Sequence, residues 1–268
     1  MTYMNELSII IVNYKNYSLT IKCINSVIEN LKSVDYEIIV CDNASPNESY
    51  DELSKKFGDI DNIKIIKNSS NAGFGAANNL CVEKSQGKYI LFLNPDVVVL
   101  DDAIEKMLYK IKSNDKVGAI SGKLLNDDYT IQYSCRRVLP LGQFILVRTP
   151  LSKLMNKKKK EYINDIYLMK DFDHNSEKSV DWVMGACILM RKDEFIELGG
   201  FSKEYFMYFE DVDLCCKVRK SGKDVIYLPE AKMLHLHNQE STKKINKMTV
   251  IHLQSMIKFY YKYYTNKI

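Results

Sequence analysis

The 268-residue sequence lacks the features that define several large classes of protein. It has only five prolines and eleven glycines, so we expect no low-complexity linker and no fibrous repeat. No apolar run approaches the ~20 residues that a membrane-spanning helix needs. With 38 basic and 34 acidic residues, the formal net charge is only +4, which is no signature of a nucleic-acid-binding protein. The composition therefore predicts a globular protein whose partners do not include nucleic acid.

Cysteine usage indicates the compartment. The seven cysteines are odd in number, and no two of them form a C-x-x-C pair. This pattern is typical of a reduced cytoplasmic chain with buried thiols, and it favours neither a disulfide framework nor a zinc site. The first apolar run, residues 7–12, starts too close to Met1 for a secretory signal peptide. We therefore expect a cytoplasmic protein.

The first 120 residues alternate between apolar runs and helical patterns. Five apolar runs read as strands, and they lie at residues 7–12, 36–41, 63–66, 89–93 and 117–121. Amphipathic stretches between them read as helices, and this alternation predicts βαβ units with a mostly parallel sheet. Ligands of such sheets bind beyond the carboxyl ends of the strands.

The second half of the chain is less regular. The pattern weakens over residues 122–178 and returns with a strand at 180–190, a helix at 210–222 and two strands at 225–228 and 232–236. We see no internal repeat and no interdomain linker. The sequence predicts one α/β domain over residues 1–242, with halves at about 1–121 and 122–242, followed by a helical tail at 243–268.

Polar groups follow three of the predicted strands, as Asn13-Tyr14, Asp42-Asn43-Ala44-Ser45 and Asn94-Pro95-Asp96. Each alone is an ordinary turn sequence. Together, at the converging ends of parallel strands, they predict a ligand crevice. The first turn has no glycine, which disfavours a dinucleotide-dependent oxidoreductase and also a nucleotidyltransferase with a glycine-rich loop. Gly73-Phe74-Gly75 lacks the ending of a P-loop, and either close ligand approach or a tight turn explains its glycines.

Asp96 carries the most specific chemistry at these strand ends. It follows an apolar strand and a proline. Hard divalent cations such as Mg²⁺ and Mn²⁺ bind a carboxylate together with the phosphates of a substrate. The sequence therefore predicts a Mg²⁺ or Mn²⁺ site at Asp96.

The order of the motifs carries a family resemblance. Ile-Ile-Ile-Val-Asn-Tyr, Cys-Asp-Asn-Ala-Ser, Asn-Ala-Gly-Phe-Gly-Ala-Ala-Asn-Asn and Leu-Asn-Pro-Asp are followed by Trp-Val-Met-Gly-Ala and Phe-Glu-Asp-Val-Asp. This series, over about residues 6–237, resembles the family 2 inverting glycosyltransferases of GT-A type. It is most similar to their rhamnosyltransferase-like branch.

The resemblance implies a GT-A-type, Rossmann-like sheet flanked by helices and a metal-dependent inverting transfer. The expected donor is dTDP-rhamnose, and the expected acceptor is a lipid-linked saccharide in bacterial surface polysaccharide synthesis. A UDP-sugar donor and a non-catalytic nucleotide-sugar-binding protein stay open as alternatives.

The resemblance also implies roles for individual residues. Asp211 is the expected general base, and Asp96 is the expected metal ligand. His235 is expected to reach the metal or the diphosphate, with His237 in reserve, because residues two apart in a strand face opposite sides. The expected nucleotide-binding residues are Asn13, Tyr14, Asp42, Asn43, Ser45, Asn71, Gly73, Asn79 and Asn94. The expected sugar and acceptor residues are Asp181, Trp182, Gly185 and Glu210.

Basic and aromatic residues concentrate outside these motifs, in Lys157–Lys160 and in the predicted C-terminal helix. Lysines beside aromatic side chains suit the anionic inner face of a cell membrane. A solvated lysine loop and a tyrosine stripe packed on the domain explain the same pattern. Peripheral membrane contact is therefore one of two open interpretations.

Overall fold

The computed structural model describes residues 3–148, 156–236 and 247–268. In chain order the described strands and helices are β1 (Asn5–Asn13), α1 (Tyr17–Asn30), β2 (Tyr36–Asp42), α2 (Ser49–Phe57), β3 (Ile63–Lys67), α3 (Phe74–Lys84), β4 (Gly87–Leu93), β5 (Val97–Val99), α4 (Ala103–Ser113), β6 (Val117–Leu125), β7 (Cys135–Arg136), α5 (Leu141–Arg148), α6 (Lys157–Tyr167), β8 (Lys178–Ser179), β9 (Trp182–Val183), β10 (Cys187–Arg191), α7 (Lys192–Glu197), α8 (Glu210–Lys220), β11 (Asp224–His235) and α9 (Lys247–Tyr264).

A mostly parallel sheet forms the centre of the molecule. Its strand order is β3-β2-β1-β4-β10-β6-β11-β5, with β8 pairing on β11. Strands β1 to β4 run parallel, whereas β10 lies antiparallel between β4 and β6. The central strands carry nearly unbroken buried runs because helices cover both faces of the sheet. The α/β class and the single domain with a C-terminal helix are confirmed.

The structure differs from the predicted elements in four places. The sequence pattern did not indicate the short strand β5, and the strand expected at 180–190 is two strands, β9 and β10. The two strands expected near 225–228 and 232–236 are one strand, β11, with a register irregularity between Leu228 and Lys232. Pro229 lies inside this irregularity, where its missing N–H costs no ladder hydrogen bond. The irregular stretch at 122–178 contains the short strands β7 and β8 and the helices α5 and α6.

The thiols are placed as the sequence predicted. All seven cysteines are buried and free, so none serves as a disulfide partner. They pack as small apolar side chains within the two layers on either side of the sheet. Within the described ranges, no helix is long and apolar enough to cross a membrane.

A buried carboxylate attaches the C-terminal helix to the domain. Asp213 of α8 is fully buried. It accepts a 2.7 Å contact from Lys262 of α9 and a 3.1 Å contact from Lys217. The Ser202 hydroxyl donates to it at 2.6 Å and the Tyr205 hydroxyl at 3.2 Å. Burial alone raises the pKa of Asp213, but the two ammonium groups outweigh burial and hold that pKa below its usual value.

Replacing this carboxylate by an amide tests the attachment. We expect Asp213→Asn to lower the free energy of unfolding by about 3 kcal/mol, because the buried Lys262 and the partly buried Lys217 lose their counter-charge. Folding lowers the pKa of Asp213. Its contribution to the free energy of unfolding is therefore complete above the pKa of the unfolded chain and is lost as the pH falls through the pKa of the folded protein. Urea unfolding at pH 7 and pH 3 measures both effects.

The matched control is Asp59→Asn, since Asp59 is exposed. An equal loss of stability in the two variants would contradict the assigned role of Asp213.

Candidate active site

The ends of β1 and β2 form one hydrogen-bonded unit. Asn13 and Asp42 are adjacent in the parallel register, and both are fully buried. The Asn13 amide donates to the Asp42 carboxylate at 2.8 Å, and the Ser45 hydroxyl donates to the same oxygen at 2.6 Å. Tyr14, beside them, is 44% exposed. This unit offers a fixed carboxylate edge and an accessible aromatic ring, which suit the base and ribose of a nucleotide.

The loop before α3 closes the next part of the crevice. The Asn43 amide donates to Asn71 at 3.0 Å, and Asn71 accepts the backbone N–H of Gly73 at 3.0 Å. Gly73 has a φ of +97°, and a Cβ there would lie 2.1 Å from the carbonyl oxygen of Phe206. Only glycine fits this position, because both the conformation and the contact exclude a side chain.

Left-handed backbone conformations concentrate at the same place. Lys15 and Ala44, at the ends of β1 and β2, have φ values of 67° and 57°. Tyr208 and Phe209, directly before α8, have φ values of 70° and 69°. Such conformations cost free energy for residues other than glycine and are frequent at functional sites.

Asp96 and His235 come together across two strands. The end of β11 pairs antiparallel with β5, so His235 lies opposite Val97. His235 Nε2 is 3.3 Å from Asp96 Oδ1, and His235 Nδ1 is 2.5 Å from the Gln132 side-chain oxygen. Since that oxygen accepts a hydrogen bond, Nδ1 carries the proton and Nε2 faces the carboxylate.

This pair fits a divalent cation. His235 Nε2 and Asp96 Oδ1 are 3.3 Å apart, close enough for one cation to contact both atoms. Gln132 orients the imidazole in the way outer-shell groups orient metal-bound histidines. Within the described ranges, no group of three or more His, Cys, Asp or Glu side chains surrounds one point. Substrate phosphates and water are further ligands that such a cation takes.

Asp211 lies in the first turn of α8 and is held by backbone N–H groups. The Gly185 N–H donates to Oδ2 and the Val212 N–H to Oδ1, both at 2.9 Å. Burial raises the pKa of Asp211, and these two hydrogen bonds oppose the rise. The positive charge of Arg136 also opposes it. The result is a fixed, partly buried carboxylate with enhanced basicity.

Glu210, the preceding residue, is almost completely buried and has an unpartnered carboxylate oxygen. Burial, followed by the adjacent charge of Asp211, raises the pKa of Glu210 to about 8. At neutral pH this side chain is therefore mostly protonated. Asp211, by contrast, accepts two backbone hydrogen bonds, which favour its charged form.

A cavity of about 450 Å³ opens beside this pair. Trp182 is nearly buried in its wall, and its indole N–H donates to the Arg137 carbonyl at 3.3 Å. Helices α5 and α9 supply the opposite wall. The other lining residues include Val138, Leu139, Phe144, Tyr167, Tyr208, Phe209, Thr249, His252, Phe259 and Tyr260. An aromatic cavity with the Asp211 side chain at its edge suits a sugar, whose apolar faces stack on rings.

Arg136 places a positive charge in the cavity wall. Its guanidinium lies 5.3 Å from the Tyr167 ring and 5.2 Å from the Trp182 ring, and it donates to the Tyr167 hydroxyl at 3.2 Å. It forms no ion pair with a carboxylate of the described residues. Arg137, by contrast, is paired with Asp171 at 2.7 Å. Arg136 is thus oriented by aromatic rings and retains its charge for a ligand.

Two predicted binding residues are hydrogen-bonded to neighbouring parts of the fold. Asp181 accepts the Val138 N–H at 2.9 Å and is ion-paired with Arg219, and it is not among the lining residues of the cavity. Asn79 donates to the carbonyl of Phe201 at 2.8 Å and accepts the N–H of the same residue at 3.1 Å. Their roles in ligand binding stay predictions.

The remaining predicted residues reach the site to different degrees. Asn94 is partly buried, and its N–H donates to the Ala186 carbonyl at 2.9 Å, which places the Asn94-Pro95-Asp96 turn beside Gly185. His237 lies outside the described residues. Asn13, Asp42, Asn43, Asn71 and Gly73 form one cluster, as expected for strands that end at one edge.

Sequence reasoning missed three residues of this region. Arg136, Gln132 and His252 received no role, because each comes from the irregular part of the chain or from the tail. His252 stacks on Phe144 at 6.2 Å within the cavity wall. An isolated histidine or glutamine in a weakly patterned segment carries no signal of its own. For Arg136, its position in an Arg-Arg pair between aromatic residues was the one available indication.

Comparisons with known proteins agree with this geometry. Residues 8–198 match the sequence model of the family described as glycosyl transferase family 2. The chain is 30% identical to the rhamnosyltransferase WbbL of Escherichia coli K12, covering 88% of this chain and 87% of that protein. It is 27% identical to the N-acetylglucosaminyl-diphospho-decaprenol L-rhamnosyltransferase of Mycobacterium tuberculosis, covering 76% of this chain and 67% of the relative.

A solved structure supports the fold. The crystal structure of GalNAc-T7 with UDP, GalNAc and Mn²⁺ matches 90% of this chain with a TM-score of 0.67 at 15% sequence identity. This chain spans 45% of the length of that protein. The likeness concerns the fold of the domain.

The raised pKa of Glu210 predicts that the free energy of unfolding depends on pH. The folded protein keeps this proton up to about pH 8, whereas the unfolded chain releases it near pH 4.5. Its contribution to stability is therefore complete below pH 4.5 and is lost as the pH rises through 8. We expect Glu210→Gln, whose amide does not titrate, to lose this part of the pH dependence.

Urea unfolding of both proteins at pH 5 and pH 8 measures this effect. Glu197→Gln is the matched control, because Glu197 is exposed on α7. The same pH dependence in wild type and Glu210→Gln would contradict the assigned protonation.

Proposed function

This chain belongs to glycosyl transferase family 2 and is a glycosyltransferase, and from that premise we propose the donor, the acceptor and the roles of its residues. The proposed reaction moves L-rhamnose from dTDP-rhamnose to a hydroxyl of a lipid-linked glycan in bacterial surface polysaccharide synthesis. Both relatives described above are named rhamnosyltransferases, and the name of one includes a decaprenol-linked sugar. The observation that carries the proposal is the carboxylate of Asp211, fixed by the Gly185 N–H at the edge of an aromatic cavity.

We assign the nucleotide to the crevice at the ends of β1 and β2. The buried Asp42 carboxylate, fixed by Asn13 and Ser45, is suited to accept hydrogen bonds from a base or a ribose. Tyr14 is exposed enough to cover the base. The diphosphate then extends toward Asn94 and Asp96, past the glycine turn at Gly73.

Asp96 and His235 are the proposed ligands of a Mg²⁺ or Mn²⁺ ion. When bound, such an ion neutralises the charge that develops on the departing diphosphate. The supporting observation is the carboxylate–imidazole pair, with the imidazole oriented by Gln132. The protein's own part is to hold the two donors at the strand ends where the diphosphate is expected.

The chemical step we propose is a single displacement. The acceptor hydroxyl oxygen attacks the anomeric carbon as the bond from that carbon to the diphosphate oxygen breaks, so the configuration inverts. Asp211 takes the hydroxyl proton. Burial raises the pKa of Asp211 and so makes it more basic, while its backbone hydrogen bonds and the charge of Arg136 favour its ionised form. Glu210, whose pKa is raised to about 8, holds a proton beside it at neutral pH.

Trp182 and the rings around it are proposed to orient the acceptor sugar and to keep water from the anomeric carbon. Trp182 is in β9 and Gly185 lies in the turn that follows, so one short segment carries the stacking ring and holds the proposed base. A UDP-sugar donor fits the same residues, since they fix a nucleotide diphosphate and leave the sugar undetermined. Assaying dTDP-rhamnose beside UDP- and GDP-sugars decides between these donors.

Replacing the base tests the chemistry. We expect Asp211→Asn to lower kcat about 10³-fold, because a positioned general base contributes ~10²–10⁴ to the rate. Nucleotide binding should be unchanged, since Asp211 lies outside the proposed nucleotide crevice. Transfer to a water-soluble acceptor measures the first quantity and calorimetry with dTDP the second. Full turnover by Asp211→Asn would refute the assignment of the base.

Replacing the proposed metal ligand Asp96 tests whether binding of the nucleotide diphosphate depends on a metal at this site. Wild type should bind dTDP at least tenfold more tightly with Mn²⁺ than with EDTA, and Asp96→Ala should show no such difference. Asp102→Ala, at an exposed carboxylate six residues further along, is the control and should behave as wild type. If Asp96→Ala keeps the Mn²⁺ effect, the metal is bound elsewhere.

A further inference from the structure

We propose that the exposed apolar stripe of α9 binds the surface of an anionic lipid bilayer. The stripe consists of Val250, Leu253, Ile257, Tyr261 and Tyr264. This inference rests on the proposed function in one respect. A lipid-linked acceptor resides in a membrane, so binding to the membrane would bring the enzyme to its acceptor. The observations that carry it concern the surface itself.

Helix α9 has two apolar faces, and the domain covers only one. Met256, Phe259 and Tyr260 are buried against the domain. The members of the stripe recur at intervals of three or four residues, which aligns them along one side of the helix. They are all exposed, at 50%, 44%, 58%, 58% and 59% in chain order. A helix that merely closes a core has a polar outer face, so this second apolar face indicates a further apolar partner.

An apolar groove continues the stripe toward α5. It encloses about 380 Å³, and its lining includes Leu141 and Ile145 of α5 and Ile257 of α9. Tyr260 lines both this groove and the cavity that contains Asp211. The Tyr260 hydroxyl donates to the Leu139 carbonyl at 2.7 Å, and the Leu141 N–H donates to the Tyr264 hydroxyl at 3.1 Å. The helices are thus joined, and apolar surface runs from solvent to the edge of the cavity.

The charge around the stripe matches an anionic surface. Residues 141–160 and 241–268 together contain 12 of the 38 basic residues and none of the 34 acidic residues. The rest of the chain holds 26 basic and 34 acidic residues and is therefore net negative. Lys247, Lys258 and Lys267 are exposed on α9 or just after it, and Lys267 lies 5.0 Å from the Tyr261 ring. Basic residues beside an apolar stripe are typical of helices that lie in a membrane interface.

The same charge disfavours a second copy of this chain as the partner. A twofold dimer places the same patch of each copy face to face. Helix α9 itself carries lysines and no acidic residue, so two such helices would then repel each other. An anionic bilayer provides both the apolar interior for the stripe and the counter-charge for the lysines.

Binding at this surface also sets the orientation of the site. Thr249 and His252 of α9 line the cavity. The residues directly after them, Val250 and Leu253, are exposed members of the stripe. One helix is therefore both a wall of the cavity and the element in contact with lipid. A glycan attached to a membrane lipid would enter next to Asp211.

Vesicle co-sedimentation of the full chain, without nucleotide sugar or acceptor, tests the proposal. We expect wild type to bind vesicles containing phosphatidylglycerol and to bind phosphatidylcholine vesicles at least tenfold more weakly. Raising the salt concentration should weaken the binding to the anionic vesicles. We expect Ile257→Glu to weaken that binding at least tenfold, because a charge replaces a lipid-facing side chain. Leu253→Glu is a second, independent variant of the stripe.

Ile196→Glu is the matched control, because Ile196 is an isoleucine of α7 that is 43% exposed. It should bind vesicles as wild type does. Failure of wild type to bind anionic vesicles, or equal loss in the control, overturns the proposal. A wild-type dimer that Ile257→Glu dissociates, without vesicle binding, would identify a second copy as the partner instead. Hydrolysis of dTDP-rhamnose in solution tests the proposed function separately, so the two failures are distinguishable.

Discussion

The antiparallel pairing of β10 with β4 is the constraint on which the site depends. Leu93 lies opposite Cys187 in this pairing, and the Asn94 N–H donates to the Ala186 carbonyl at 2.9 Å. The turn that carries Asp96 is thereby fixed beside Gly185, whose N–H holds Asp211. Hydrogen bonds of the segment at Gly185 and Ala186 thus connect the turn that carries Asp96 with the first turn of α8. The first and second halves of the domain share one sheet at this point.

Buried charges around α8 are divided between stability and chemistry. Asp213 is neutralised by Lys217 and Lys262, so its charge joins α9 to the domain. Burial raises the pKa of Glu210 to about 8, so this side chain is mostly protonated at neutral pH. Asp211 is held by backbone N–H groups and faces the cavity. Three carboxyl groups within one helical turn thus differ in function because burial and partners differ at each.

The predicted site residues that the structure brings together are those at the ends of regular strands. Asn13, Asp42 and Asn43 follow continuous apolar runs, and the ends of parallel strands converge whatever the side chains are. Asn79 and Asp181 also belong to motifs, yet each binds the backbone of its own fold. A motif fixes the residue type and its element, but it does not fix the direction of the side chain.

The sequence by itself determined the class of fold, the alternation of strands and helices in the first 120 residues and the burial of the thiols. Each of these follows from local periodicity or from a resemblance carried by ordered motifs. Only the tertiary structure decided that Gln132 orients His235, that Arg136 faces the cavity and that α9 forms part of its wall. These contacts join segments that are distant in the chain and irregular in pattern. They depend on how the sheet and helices pack in three dimensions, which no local signal in the sequence encodes.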